Sequence, residues 1–305
     1  MNIMLKSNLL LLLAAFIWGF AFVAQRVGMN HVGPFTFNGI RFALGSLSLL
    51  PLLIYYHKHP APTTSKQTTP SGWRIGLLAG IILFIAASLQ QIGLIYTTAG
   101  KAAFITALYI VLIPLLGIFL KQSITVNTWL GSVLAIIGLY FLCVKGSFTI
   151  APGDLFELIG ALFWTAHILV IDRFSRKIGT LELAFFQFIT CSLLSLGTAA
   201  WLETVTINEL LQASIPILYG GICSVGVAYT LQIIGQKNAS PTHAAIILSM
   251  ETVFAAIGGY LILGEQLGLP ELLGCAFMLA GMFVSQLKGL KSQQESLASQ
   301  PNEIN

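Results

Sequence analysis

The sequence predicts an all-α integral membrane protein with about ten transmembrane helices in two inverted five-helix repeats. Three observations carry that expectation. Only 9% of the residues are charged, 56% are hydrophobic and the mean hydropathy is +0.86, whereas a soluble domain carries about 25% charged residues to solvate its surface. The apolar residues gather into runs of about 20, the length that a helix rising about 1.5 Å per residue needs to cross a hydrocarbon core of about 30 Å. Finally, residues of the first half recur in order in the second.

Taken in order, the expected spans are 8–25, 35–56, 75–96, 102–120 and 129–144, then 155–171, 183–202, 215–235, 244–263 and 272–287. Lys6 ahead of the run from Leu9 has the look of a signal peptide, but a cleavage site is lacking and the segment has a counterpart later, so it reads as a retained first helix. No run alternates apolar with polar residues as a membrane β-barrel strand would. Residues 57–72, rich in Pro, Thr and Lys, read as a loop. The composition of 288–305 reads as a disordered cytoplasmic tail. The organisation is therefore a first unit at 8–145, a second at 153–287, and the tail.

Lys and Arg mark cytoplasmic loops. With both termini inside, the cytoplasmic loops hold 11 of them (Lys6, Lys58, Lys66, Arg74, Lys121, Arg173, Arg176, Lys177, Lys237, Lys288, Lys291) and the outer loops hold 3 (Arg26, Lys101, Lys145). Localisation in a bacterial inner membrane with cytoplasmic termini is the expectation. The basic residues are dispersed over loops and explain the net charge of +4 without a nucleic-acid partner. Cys143, Cys191, Cys223 and Cys275 all fall within spans at spacings that suit neither a disulfide framework nor a metal site, and nothing calls for a cofactor.

Self-comparison is the most informative signal. Leu89-Gln90-x-Ile92-Gly93 recurs as Leu231-Gln232-x-Ile234-Gly235, and Ala102-Ala103 as Ala244-Ala245, at one spacing of 142. Leu12, Ala15 and Trp18 recur as Leu158, Ala161 and Trp164 at 146, and Gly131 and Gly138 as Gly274 and Gly281 at 143. Five spans per unit is an odd number, so the second unit enters the membrane upside down relative to the first. Inverted repeats suit alternating access about a site near the midplane.

Thr98-Ala99-Gly100-Lys101-Ala102-Ala103-Phe104 running to Pro114, and Met250-Glu251-Thr252-Val253-Phe254 running to Gly264-Glu265, resemble the EamA-like family of the drug/metabolite transporter superfamily, and the resemblance extends from Leu9 to Gln286. It implies ten helices in two inverted units, a central cavity lined by the first four helices of each, and transport of amino acids, related metabolites or drugs, often outward. Thr252 departs from the Pro found there in many relatives.

The candidate substrate-binding residues are polar or aromatic groups inside spans. Glu251 in the ninth span is costly unless it faces the interior; it either holds a substrate ammonium group, takes up a coupling proton, or satisfies neighbouring groups. Arg41 in the second span either pairs with a substrate carboxylate or snorkels to the outer surface. Trp18 and Trp164 are equivalent mid-span residues suited to facing cavity walls or to packing. His167 lies a helical turn from Trp164. Gln90 and Gln232, with Tyr109, offer donors and acceptors for a polar solute or for interhelical bonding.

A membrane-embedded enzyme is disfavoured because the spans show no HxxxH, HExxH, DxD or clustered carboxylates, and Asp154 and Asp172 sit at span ends. A lipid or lipid-head-group translocator is the alternative carrier reading. Without a Walker motif, ATP hydrolysis is not expected. The partners expected are a small-molecule substrate, the lipid bilayer, a coupling proton and a second copy in a homodimer.

Overall fold

The computed structural model describes residues 3–58, 72–97, 99–119, 125–143, 152–264 and 268–298, and every regular element among them is a helix. In order these are α1 (Ile3–Gly28), α2 (Pro34–Lys58), α3 (Gly72–Tyr96), α4 (Ala99–Thr106), α5 (Tyr109–Phe119), α6 (Val126–Cys143), α7 (Pro152–Phe174), α8 (Thr180–Leu202) and α9 (Ile207–Gln212). Then follow α10 (Ser214–Leu218), a π-helix (Tyr219–Tyr229), α11 (Thr230–Gln236), α12 (Pro241–Leu248), α13 (Glu251–Leu263) and α14 (Leu269–Ala298). Among the described residues seven helical segments are long and apolar enough to cross a membrane: Ile3–Gly28, Pro34–Tyr55, Gly72–Tyr96, Pro152–Phe174, Thr180–Leu202, Ser214–Gln236 and Pro241–Leu263. Ala102–Leu116, Val126–Gly138 and Leu272–Ser285 are shorter apolar helices. Leu47, Leu193, Leu261 and Phe283 stand more than half exposed on the perimeter, as lipid-facing residues do when the hydrocarbon itself is the solvent.

Two expected spans are interrupted. The fourth breaks at Ala107–Leu108 and the ninth at Ser249–Met250, which are equivalent positions in the two units. The backbone tightens identically at both: Leu108 N–H bonds Ile105 O and Ile110 N–H bonds Ala107 O, as Met250 N–H bonds Ile247 O and Thr252 N–H bonds Ser249 O. These are i→i−3 bonds, which overwind a turn and end the regular ladder. Proline has no part in either break, since Pro114 lies within α5 and Thr252 within α13. Hydropathy is blind to such a break because both sides are equally apolar. The eighth expected span is also irregular, with a π-helix through the glycine-rich segment Tyr219–Tyr229. The last helix continues through Ala298, so residues from Lys288 that composition assigns to a disordered tail are helical; Leu, Lys, Gln and Glu are good helix formers that extend a helix already nucleated. Residues 299–305, and most of the 57–72 loop, lie outside the described residues.

The two-repeat organisation is visible in the packing. α3 lies on α7 as the α10–π–α11 segment lies on α1, and α3 on α8 as the π-helix on α2; α2 pairs with its counterpart α8, and α6 with its counterpart α14. Across α6 and α14, Gly131 faces Gly281 and Gly138 faces Gly274, so that a Cβ on Gly131, Gly138 or Gly281 would meet the other helix's backbone within 2.7 Å. As 131 pairs with 281 and 138 with 274, the two helices run antiparallel, and the two contacts are exchanged by the repeat. Small residues allow this approach where apolar burial against lipid gives no drive.

One end of the bundle, here the Gly28 end, is tied by polar contacts. The carboxylate of Glu203, just past α8, accepts N–H bonds from Phe35 (2.8 Å) and Thr36 (2.7 Å) at the start of α2. Arg26 donates to Leu94 O at 2.7 Å, and Thr97 to Asp154 at 3.1 Å. At the opposite, Ile3 end, Asn8 pairs with His243 Nε2 at 3.0 Å.

Candidate functional site

Between the two units lies a cavity of about 490 Å³ not filled by atoms, walled by residues of both. Each wall residue is placed by one of the features above. α1 supplies Trp18, Phe22 and Gln25, α2 supplies Arg41, and α3 supplies Gln90. The broken helices deliver Thr106 and Tyr109 from the two sides of the first break, and Leu248 and Glu251 from the two sides of the equivalent second break. α7 adds Trp164 and Ile168, the π-helix Ser224 and Tyr229, and α11 Gln232. Seven of the eight candidate residues from the sequence thus meet at one cavity.

The eighth does not. His167 is fully buried behind the wall, its Nε2 3.0 Å from Gln187 Oε1, and its ring meets Trp164 and Tyr229 edge-on at 6.0 Å. A one-turn spacing put it on the Trp164 face correctly, but that face is wide enough to be half cavity and half core.

Tyr109 Oη donates to Glu251 Oε1 at 3.0 Å. These two residues are 142 apart, the repeat spacing of this region, so each is the other's counterpart. A residue touching its own counterpart lies on the pseudo-twofold axis, and the pair therefore marks the centre of the molecule. Buried carboxyl groups require such a partner.

Arg41 is 3% exposed, which excludes the snorkelling alternative. Its guanidinium carbon lies 5.0 Å from the centre of the Phe42 ring and 5.6 Å from that of Phe37, its Nε has no hydrogen-bond partner, and no carboxylate among the described residues pairs with it. In the other unit Gln187 holds the equivalent position and its Oε1 meets His167, although its Nε2 has no partner; the equivalent of His167 in the first unit is Ala21. Arg41 is unpartnered because the residue that would face it is an alanine.

The two tryptophans are equivalent in sequence and differ in chemistry. Trp18 Nε1 donates to the Ser224 carbonyl at 3.2 Å, an oxygen on the irregular π-helix, while Trp164 Nε1 has no partner. Both pack on Tyr229, Trp18 edge-on at 4.7 Å and Trp164 stacked at 6.3 Å. Gln90 Nε2 reaches Gln25 Oε1 at 3.4 Å, and Gln232 Oε1 has no partner. The result is an aromatic, amide-lined chamber with one carboxyl, one guanidinium and several unsatisfied donors and acceptors, which is the composition of a small-solute site.

Sequence reasoning missed Tyr229, the ring on which the aromatic wall converges; its equivalent is Ala87, so the repeat gave no hint, although a Tyr deep in a glycine-rich span was a signal. Thr106 and Ser224 carried none. It also missed Glu157, and the statement that the spans lack clustered carboxylates needs correction: Asp154 and Glu157, one turn apart on α7, are both buried. Asp154 lies in the first turn of α7, where acids read as dipole partners at an exposed end, and Glu157, one turn further on, was passed over beside it. No group of three or more His, Cys, Asp or Glu suited to a metal occurs among the described residues.

Seven helical segments long and apolar enough to cross a membrane, with a polar chamber between two related halves, mark a multi-pass membrane protein. The profile of the EamA-like transporter family matches twice, over residues 5–144 and 151–287, and the chain belongs to that family. It is 32% identical over 293 residues to an uncharacterized transporter of Archaeoglobus fulgidus, covering 93% of this chain and 87% of that one. It is 24% identical to the uncharacterized transporter YoaV of Bacillus subtilis, with 92% and 97% covered. With an S-adenosylmethionine uptake transporter of Rickettsia bellii it shares 25% identity over 230 residues, 74% of each chain. A protein of known crystal structure superposes with a TM-score of 0.75 at 19% identity, over 93% of this chain and 98% of the other, a likeness of fold.

Proposed function

We propose that this protein is a secondary transporter that carries small metabolites, amino acids or related compounds or drugs, across a bacterial inner membrane, as an exporter working by alternating access. The reading takes the ten apolar helical segments as ten crossings, in two units inverted with respect to each other and bounded at 8–145 and 153–287, with both termini in the cytoplasm and the Gly28 end outside. The single observation that carries it is the chamber on the pseudo-twofold axis, where Tyr109 meets Glu251 and Arg41 stands unpartnered. A site on the axis is equally distant from both faces, which is what exchange between two mirror-related conformations needs. Trp18, Trp164, Gln90, Gln232, Tyr109, Arg41 and Glu251 bind the solute. A rigid guanidinium fork suits a carboxylate, Glu251 an amino group, and three aromatic rings an apolar or cationic body; a solute derived from an amino acid, such as the one named for the Rickettsia relative, fits the same description.

The test is flux of labelled amino acids in proteoliposomes, with and without a pH gradient, comparing the unaltered protein with Glu251→Gln. Solute movement that requires the protein and falls at least tenfold in the variant is expected; no protein-dependent movement of any solute in the panel would sink the reading.

A further inference from the structure

Equivalent seams flank the two ends of the chamber, and the seams are chemically unlike. At the Gly28 end α3 meets α7: a Cβ on Gly153 would come within 2.7 Å of Gly93 O, and one on Gly93 within 2.6 Å of Glu157 Oε1. At the Ile3 end α11 meets α1: a Cβ on Gly235 would lie 3.2 Å from Ser7 O and 2.7 Å from Leu11 Cγ. Gly93 and Gly235 are repeat equivalents, as are Ser7 and Gly153, and so are Leu11 and Glu157. The third member of each seam is a residue on the chamber wall, Thr106 in one and its equivalent Leu248 in the other. The same packing is thus built once from Gly, Leu and Leu, and once from Gly, Glu and Thr.

The apolar seam shows that this geometry has no need of a carboxyl group. Glu157 is nevertheless 1% exposed, accepts a single hydrogen bond from Thr106 Oγ1 at 3.2 Å, and its Oε1 has no partner among the described residues. An ionised carboxylate in so dry a place costs several kcal/mol, and a neutral one far less. The charged neighbour on its own helix is Asp154, which accepts from Thr97. α3 presents Gly93 and, beside Gly153, Tyr96; α4 presents Thr106; and Arg26 of α1 is engaged with Leu94 O. No described cation compensates a charge on Glu157.

We propose that Glu157 is a proton-binding site that couples closure of the α3–α7 seam to uptake of one proton. Parting the seam lets water reach the carboxylate, which is then stable in its ionised form; closing it requires the neutral acid, so a proton is taken from the water at that end. When the chamber is wetted from the Ile3 end, the Thr106 hydroxyl turns from Glu157 to donate to chamber water, its Oγ1 takes the acid proton of Glu157 as its own proton passes to that water, and the carboxylate that remains favours reopening of its seam. Closure without a proton is penalised at one end only, since Leu11 has nothing to titrate. The inference rests on the transport reading for its use, and on the seam alone for its existence.

The experiment uses Glu157→Leu and Glu157→Gln in the full chain, and Leu11 shows that a leucine fits this seam. A reporter, Ala103→Cys, sits in the plug formed by Phe22, Leu94, Ala99, Ala102 and Ala255 beside the seam. The rate at which a membrane-impermeant thiol reagent labels it in proteoliposomes, less the rate without the reporter, measures opening. Because the thiolate is the reacting species, each rate is taken relative to that of the same reagent with a free thiol at the same pH; the relative rate from the Gly28 side should rise with pH on that side, by at most about tenfold per unit because one proton is bound, and should be flat in both variants. Flux driven by a pH gradient should disappear in both while downhill exchange continues. An unchanged pH profile in Glu157→Leu overturns the proposal, even with flux intact. A pH-dependent profile without any solute flux sustains the proton site and sinks the transport reading instead.

Discussion

The α6–α14 seam gives a sharp stability prediction. A Cβ added to Gly281 would sit 2.6 Å from the Gly131 carbonyl oxygen, and ordinary contact begins near 3.4 Å, so Gly281→Ala forces the two helices apart by close to an ångström. The obstacle is backbone on both sides, so no rotamer change relieves it. Overpacking of this kind costs about 1–3 kcal/mol, and parting the helices also weakens Cα–H···O contacts worth about 0.5–1 kcal/mol each. Gly197 in α8 is the control: it is exposed and a Cβ there meets nothing within 4 Å, so Gly197→Ala should be neutral or stabilising by about 0.5–1 kcal/mol through helix propensity. Thermal unfolding of the detergent-purified protein reads both. Gly281→Ala should melt a few degrees lower, and Gly138→Ala, whose Cβ would lie 2.6 Å from Gly274 O, should match it because the repeat exchanges the two contacts. A Gly281→Ala protein as stable as Gly197→Ala would refute the claim that glycine-to-glycine approach holds this seam.

Three further outcomes follow from single groups. Arg41→Leu should raise the melting temperature, since it removes a buried cation with no partner, while abolishing flux of carboxylate solutes; a loss of both would show that Arg41 has a structural partner. Trp18→Phe should destabilise by about 1 kcal/mol more than Trp164→Phe, because only Trp18 leaves a buried carbonyl without its donor, and the same melting assay measures the difference. At α9, the Thr206 N–H and hydroxyl hold the Glu209 carboxyl below its ordinary value; a depressed acid stabilises above its unfolded value and loses this as pH falls through the folded one, so amide protection factors in α9, the exchange rates corrected for the intrinsic rate at each pH, should fall in acid below the usual carboxylate range and stay constant above it.

Much of this was legible in the sequence for a physical reason. Hydrocarbon imposes a length and an apolarity on whatever crosses it, so the positions of the helices follow from composition alone. The repeat was legible because Trp and Gln are uncommon enough for their recurrence to register, and polar residues within spans pointed to the chamber because lipid would not accept them. What stayed hidden depended on geometry that hydropathy does not encode. The breaks at Ala107 and Ser249 lie inside uniformly apolar stretches, the π-helix changes a register without changing a residue's character, and Glu157 sits so near its helix start that it resembled a surface acid. That Tyr109 bonds Glu251 was in principle readable, since their separation equals the repeat spacing, but only for a reader who already placed the axis between them.

The repeat also offers a way to separate structure from function in a single chain. Where the halves agree, as at Gly93 and Gly235 or Gly131 and Gly274, the shared residue serves the geometry that both halves must adopt. Where they differ at a matched, buried position, packing has been solved twice and the difference needs another cause. Three such differences cluster at the chamber: Arg41 against Gln187, Glu251 against Tyr109, and Glu157 against Leu11. The first two lie on its wall and break the symmetry of charge around the axis, so a bound solute would be oriented and a head-to-tail one preferred. The third lies within a seam and breaks the symmetry between the ends. Two halves identical in these positions would form two end states of nearly equal energy. Uphill movement needs coupling to a second gradient, and a proton is the coupling ion the buried carboxyls suit; Glu251 on the axis would meet it alike from either side, whereas Glu157, present at one seam where the other has Leu11, would tie proton binding to one of the two end states.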